Sequence, residues 1–263
     1  MKKNYVFECE DTTNGIYTAI YKAWEEKNRQ GLSHEEISLQ LNHDGTRTFF
    51  SEYIPVASED NLAEKVAIKV RTLGYEVNEM IYYATLSHEK DKANTIYHFL
   101  ALAIRHGKTV VDMLHNPYVM RIMQLRRRVR NEVHNYLGFV RFADLVEGVL
   151  YAKIKPKGSV LYLLGDHFSK RLAKENFIIH DATHKLALIH EKQRDWYIAS
   201  EELLPREVFD EAGISKSDHY ALLWKSFFES IAIAERENKH CQDNHLYKRY
   251  RENMIEFSQD EKN

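Results

Sequence analysis

At Gly138 the spacing of apolar residues changes from a helical to a strand period, and that change limits what the chain can fold into. Before it, apolar residues recur three and four apart, as in Leu62, Val66 and Val70, or Ile96, Phe99, Leu100 and Ala103. After it, Phe139-Val140-Arg141-Phe142 and Val149-Leu150-Tyr151-Ala152-Lys153-Ile154 read as strands flanking Glu147-Gly148, a hairpin that Lys155-Pro156-Lys157-Gly158 closes. Residues 160–173 return to the helical period. Residues 177–180 and 186–189 form a second hairpin, and Trp196-Tyr197-Ile198 adds a strand. This order implies an antiparallel ββαββ(β) module with a helix on one face.

The N-terminal part is mainly helical with a small sheet. Tyr5-Val6-Phe7-Glu8-Cys9-Glu10 alternates as an edge-type strand, and residues 11–14 offer N-cap oxygens to a helix whose apolar face is Ile16, Ile20, Ala23 and Trp24. A strand at 37–41 and a turn at 42–45 follow, then a helix opening at Ser58-Glu59-Asp60. Residues 76–107 make two helices meeting near Ser87-His88-Glu89, with Gly107 as the stop. A further helix begins after Pro117 and ends at Gly138, and a last long helix spans 217–238 before a charged tail. The expected class is α+β, with an N-terminal part at 1–116 and the sheet module, C-terminal helix and basic tail at 117–263, or one domain throughout.

Cys9 and Cys241 are the two cysteines and lie far apart, so neither a disulfide framework nor a clustered zinc site is expected. The N-terminal segment has two lysines, but Glu8 and Glu10 interrupt its apolar run, which argues against a signal peptide. A reducing, cytoplasmic location is the expectation.

Charge is unevenly placed. The net charge is only −2, yet residues 121–174 carry twelve Lys/Arg against four Asp/Glu. Such a block creates a local field on one face. Arg126, Arg127 and Arg130 on the helix, joined by Arg121, Arg141, Lys170, Arg171 and Lys174, suit contact with phosphates, and Phe139, Phe142 and Phe168 are candidates for base stacking. The competing reading is a solvated helix whose arginines pair with the acidic residues of 175–238.

For chemistry, Glu132, His167 and Asp181 are the candidate proton-transfer groups, with Arg141 and Arg171 as the cations beside them. Structural histidines and a buried Arg–Asp pair would give the same pattern. A metal-dependent hydrolase built on His134, His167 and His180 is a further alternative. The glycine-rich phosphate loop, the GxGxxG fingerprint, the zinc-deaminase signature and the GxSxG elbow are all absent. No cofactor is expected.

Val129-Arg130-Asn131-Glu132-Val133-His134, Gly138-Phe139-Val140-Arg141-Phe142, His167-Phe168 with Arg171, and Phe177-Ile178-Ile179-His180-Asp181 form one ordered series. The series resembles that of the bacterial DNA-metabolism (DNA-repair) proteins carrying the domain of unknown function DUF4130. The closing segment, with Glu235-Arg236-Glu237-Asn238, Lys248-Arg249-Tyr250, Asn253 and Glu256-Phe257, is similar too. Tyr247 stands where that family commonly has proline, and Arg251 where it often has tryptophan. The resemblance implies DNA as a partner and a radical-SAM protein as a second one. It assigns no catalytic residue, so whether the chain is an enzyme stays open. Lys248 and Arg249 join the arginines above as expected nucleic-acid contacts. A non-catalytic adaptor that presents DNA to a radical-SAM enzyme is the rival reading.

Overall fold

A computed structural model describes residues 4–42, 47–145, 148–203, 243, 246–251 and 254. The chain is α+β and divides into two compact units, residues 1–131 and 132–263.

In the N-terminal unit, β1 (Asn4–Cys9) lies between β2 (Ile37–Leu41) and β3 (Ser51–Val56), parallel to both. The edge position expected for β1 is therefore corrected. Val6, Phe7 and Cys9 are all buried, because both faces of this strand are covered and both of its edges are paired. β3 is the strand that carries a proline, Pro55, as an edge strand can. Helix α1 (Thr13–Gln30) starts where Thr12 Oγ1 accepts from Gly15 N–H at 2.9 Å. Gly15 is forced by space, since a Cβ there would come within 2.7 Å of the Glu10 carbonyl oxygen.

Helices α2 (Asp60–Thr72), α3 (Tyr75–Thr85) and α4 (Lys92–His106) follow, and the expected stripes Leu62/Val66/Val70 and Ile96/Phe99/Leu100/Ala103 are buried. Lys92 is also buried. Its ammonium donates to the carbonyls of Thr85 (2.9 Å) and Ser87 at the end of α3, and pairs with Asp11. Carbonyls that a helix end leaves unpartnered are thus satisfied by a neighbouring cation.

Helix α5 (Pro117–Phe139) gives its residues from Glu132 onward to the C-terminal unit. It runs through Gly138, which was expected to end it, so the segment 139–142 is not a strand. The first strand is only β4 (Ala143–Asp144), paired antiparallel with β5 (Val149–Ile154). Phe142 instead packs edge-on against Phe168 and Phe177 at 5.4 and 5.7 Å and is partly buried.

The sheet order is β4-β5-β6-β7-β8, with β6 (Asn176–Asp181), β7 (Leu186–His190) and β8 (Tyr197–Ser200). The expectation of an all-antiparallel sheet is corrected at one place: β5 and β6 are parallel. Helix α6 (Leu161–Arg171) lies between them and returns the chain to the end of the sheet where β5 began. α6 buries Leu161, Leu164 and Phe168 and accepts the Trp196 indole over Gly165, where a Cβ would meet ring atoms at 2.3 Å. The expected helix at 217–238 lies outside the described residues. No helix among the described residues is long and apolar enough to cross a membrane.

Candidate phosphate-binding cleft

Tyr136 and Phe139 are three apart on α5 and share a face. Both rings pack on Tyr250, with centroids 4.9 and 5.7 Å away, and this seats the short turn Lys248–Tyr250. Tyr250 is buried, and its hydroxyl receives Asn135 Nδ2 at 3.3 Å. The seating carries Arg249 to the same place. Its guanidinium lies 4.6 Å over the Tyr250 ring and reaches Glu132 Oε1 at 3.2 Å.

Glu132 is buried and fully engaged. Its Oε1 accepts from Lys157 N–H at 2.9 Å and its Oε2 from Gly158 N–H at 3.0 Å. These bonds fix the loop that leaves β5, and so fix Lys155. The result is a cleft of about 320 Å³, mouth included, lined by Arg141, Lys153, Lys155, Arg249, Tyr136 and Tyr250 among others. The space within is narrow and admits a single water-sized group. Arg141 sits on the C-terminal end of α5, donating to the carbonyls of Gly138 (3.1 Å) and Val140 (3.4 Å), where a cation is favoured by the helix dipole.

The Tyr136 hydroxyl is buried in the wall of this cleft near the Lys155 backbone, and its proton meets no acceptor among the described residues. Burial, then Tyr250 and the Glu132 charge, hold its pKa well above the ordinary phenol value, against Arg249 and the Lys155 backbone, which pull it down. It is therefore a proton donor at neutral pH. A buried donor left without an acceptor costs about 1–3 kcal/mol, so an acceptor that enters the cleft recovers a real penalty.

The residues singled out in the sequence are only partly brought together. Arg126 is half-buried and faces Glu79, with Glu76 4.0 Å away. Arg127 and Arg130 are exposed and make no ion pair among the described residues. Arg121 is held by Glu89 and Asp91, at 2.8 and 2.7 Å. Arg171 and Lys248 are exposed, as is His167, whose ring meets Phe168 edge-on.

Asp181 is buried and closes the β6–β7 turn. It accepts from the N–H groups of Thr183 and His184 at 3.0 and 3.1 Å and contacts His184 Nδ1 at 2.7 Å. Glu132, His167 and Asp181 have separate sets of partners. His180, buried on β6, bonds Tyr151 at 2.8 Å through Nδ1 and Glu201 at 3.2 Å through Nε2. Burial lowers its pKa, and Glu201 opposes that shift. Among the described residues no three His, Cys, Asp or Glu side chains come together to hold a metal ion, so His134, His167 and His180 do not form such a group.

Tyr136, Lys153, Lys155 and Tyr250 are cleft residues that the sequence pattern did not single out as functional. The available signal was the pair Lys153 and Lys155, two apart at a strand end and so on one side of it. A DUF4130 family model, for a domain of unknown function, matches residues 90–256. The chain belongs to the DUF4130 family. Every residue named as lining the cleft falls within the DUF4130 match. No curated protein matches the chain. Among solved structures, a chain described as a DHH domain from a member of a family of ribosomal proteins is similar at a TM-score of 0.40 and 9% identity, over 72% of this chain and 74% of that one.

Proposed function

We propose that this protein is a nucleic-acid-binding component of DNA metabolism, in repair or modification, and that its C-terminal unit makes phosphate contact. The observation that carries the reading is the gathering of Arg141, Lys153, Lys155 and Arg249 from three separate segments around one cleft. Cations clustered at one place are what phosphate recognition uses. Exposed Arg127 and Arg130 on α5 add the same chemistry as sequence-tolerant contacts. The link to DNA, and to a radical-SAM partner, comes from the resemblance of the motif series to DNA-metabolism proteins.

The test is binding of a labelled single-stranded and a duplex DNA of one sequence, followed by anisotropy across a salt series. Affinity should fall linearly in log–log form. The double reversal Lys153→Glu, Lys155→Glu should weaken binding about tenfold or more and reduce the slope by about two. Affinity independent of salt, or unchanged in the double variant, overturns the reading.

A further inference from the structure

We propose that the N-terminal unit binds a small amphiphile, a medium-chain carboxylate, in a pocket where α1, α2 and α4 meet. Every residue lining this pocket belongs to that unit, so the site is independent of the nucleic-acid reading above. The pocket holds about 580 Å³. Folded interiors leave few voids larger than a water molecule, and small-molecule sites run from about 300 to 1,000 Å³. Its base is aliphatic. Ile20 of α1, Val66 of α2 and Leu100 of α4 are buried there and offer no side-chain hydrogen-bonding group. Trp24 forms a wall, and its ring is braced edge-on against His34 at 4.9 Å and Tyr97 at 5.7 Å. Ile104, 40% exposed, continues the apolar surface to the mouth. A ligand therefore meets a preformed apolar surface.

The charges at the edge select the occupant. Lys65 and Lys69 are four apart on α2, so they share a face, and both are exposed where they line the pocket. Neither pairs with a carboxylate among the described residues. The Lys65 ammonium instead lies 5.2 Å over the ring of Tyr21, a further lining residue. Glu25, at the edge on α1, interacts with Arg29 one turn on, so its charge is partly offset. An aliphatic base beside two ammonium groups matches a saturated chain that ends in an anion. A nucleotide matches it less well. Its base would bury hydrogen-bonding edges against Ile20, Val66 and Leu100, which leave them unsatisfied.

Calorimetric titration of the full chain with octanoate, octanol and adenosine monophosphate tests the assignment. Octanoate should bind at one site per chain, about fivefold more tightly than octanol. The double change Lys65→Gln, Lys69→Gln should remove that preference and leave octanol binding as it was. Ile104→Glu, which sets a carboxylate at the mouth, should weaken octanoate about fivefold or more. All three positions are exposed, so the variants should fold as the parent does. Equal binding of octanoate and octanol overturns the anionic assignment. No saturable binding of either overturns the site. Adenosine monophosphate binding more tightly than octanoate overturns the amphiphile in favour of a nucleotide. Octanoate binding unchanged in both variants overturns the placement in this pocket.

Discussion

Glu132 on α5 and Arg249 in the C-terminal turn meet at 3.2 Å, the carboxylate buried and the guanidinium about one-third exposed. The same carboxylate holds the Lys157 and Gly158 amides, so it ties the helix to two other segments. A general base needs a free lone pair facing the reacting proton, whereas these oxygens already accept three donors. Glu132→Gln should therefore lower stability by about 2–4 kcal/mol, because an amide N–H₂ would face a backbone donor and the ion pair would be lost. Arg249→Ala should cost less, about 1–2 kcal/mol, since both backbone bonds remain and water reaches the site. Urea unfolding at neutral pH measures both. A Glu132→Gln variant as stable as the parent but inactive on DNA would restore the proton-transfer role.

Acid sensitivity should be concentrated in the N-terminal unit. Arg121 hydrogen-bonds Asp91 and holds its carboxyl below the usual range despite partial burial. Burial pushes Glu89 up, but the Arg121 hydrogen bond and the charges of Arg128 and Arg121 bring it below its ordinary value. Both folded pKa values are thus depressed. Their contribution is complete above the unfolded values near about 4 and is lost as pH falls through the lower folded ones. Arg121→Gln should lower stability at pH 7 and flatten the fall between roughly pH 5 and 2. Parallel stability–pH curves for the two proteins would show that the trio contributes nothing to acid unfolding.

Much of the fold could be read from period alone, because apolar residues three and four apart, such as Leu62, Val66 and Val70, have only one way to be buried together. Strand neighbours could not. The run at 5–10 alternates like an edge strand, yet what makes β1 central is the pairing of β2 and β3 to either side, which is set by crossovers and not by β1 itself. Phe139-Val140-Arg141-Phe142 has a strand-like composition, but Phe139 is drawn to Tyr250 and Phe142 to Phe168 and Phe177, so tertiary packing overrides local preference. The site was legible as a basic block and not as a place. Arg126 and Arg121 look identical to Arg127 in the sequence, and only the positions of Glu79, Glu89 and Asp91 separate paired arginines from exposed ones. Tyr136 was invisible because the surroundings of a buried hydroxyl have no sequence signature.

Lys92 predicts a large penalty for a conservative-looking change. Its ammonium satisfies the Thr85 and Ser87 carbonyls and Asp11 from a buried position, so all three donors are used. Lys92→Met keeps the apolar stem but strands two carbonyls at the end of α3. Stability should fall by about 2–4 kcal/mol, read as the shift in urea midpoint at unchanged slope. A loss under about 0.5 kcal/mol would mean that water replaces the ammonium.

Gly165 gives the opposite sign to helix propensity. In an exposed helix interior, Gly→Ala stabilises by about 1 kcal/mol. Here the Trp196 indole lies where the new Cβ must go, with three ring atoms within 2.6 Å of that position. The ring is also tied to α6 by its Nε1–H, which donates to Asp166 Oδ1 at 2.9 Å, so it cannot slide aside without losing that bond. Gly165→Ala should destabilise by about 1–3 kcal/mol and shift the tryptophan emission toward that of solvent-exposed indole. Trp196→Ala removes the obstacle. In that background the same Gly165→Ala change should become neutral or stabilising, so the double-mutant cycle should show a coupling of about 1–3 kcal/mol. Additive effects across the cycle would mean that the indole does not rest on Gly165.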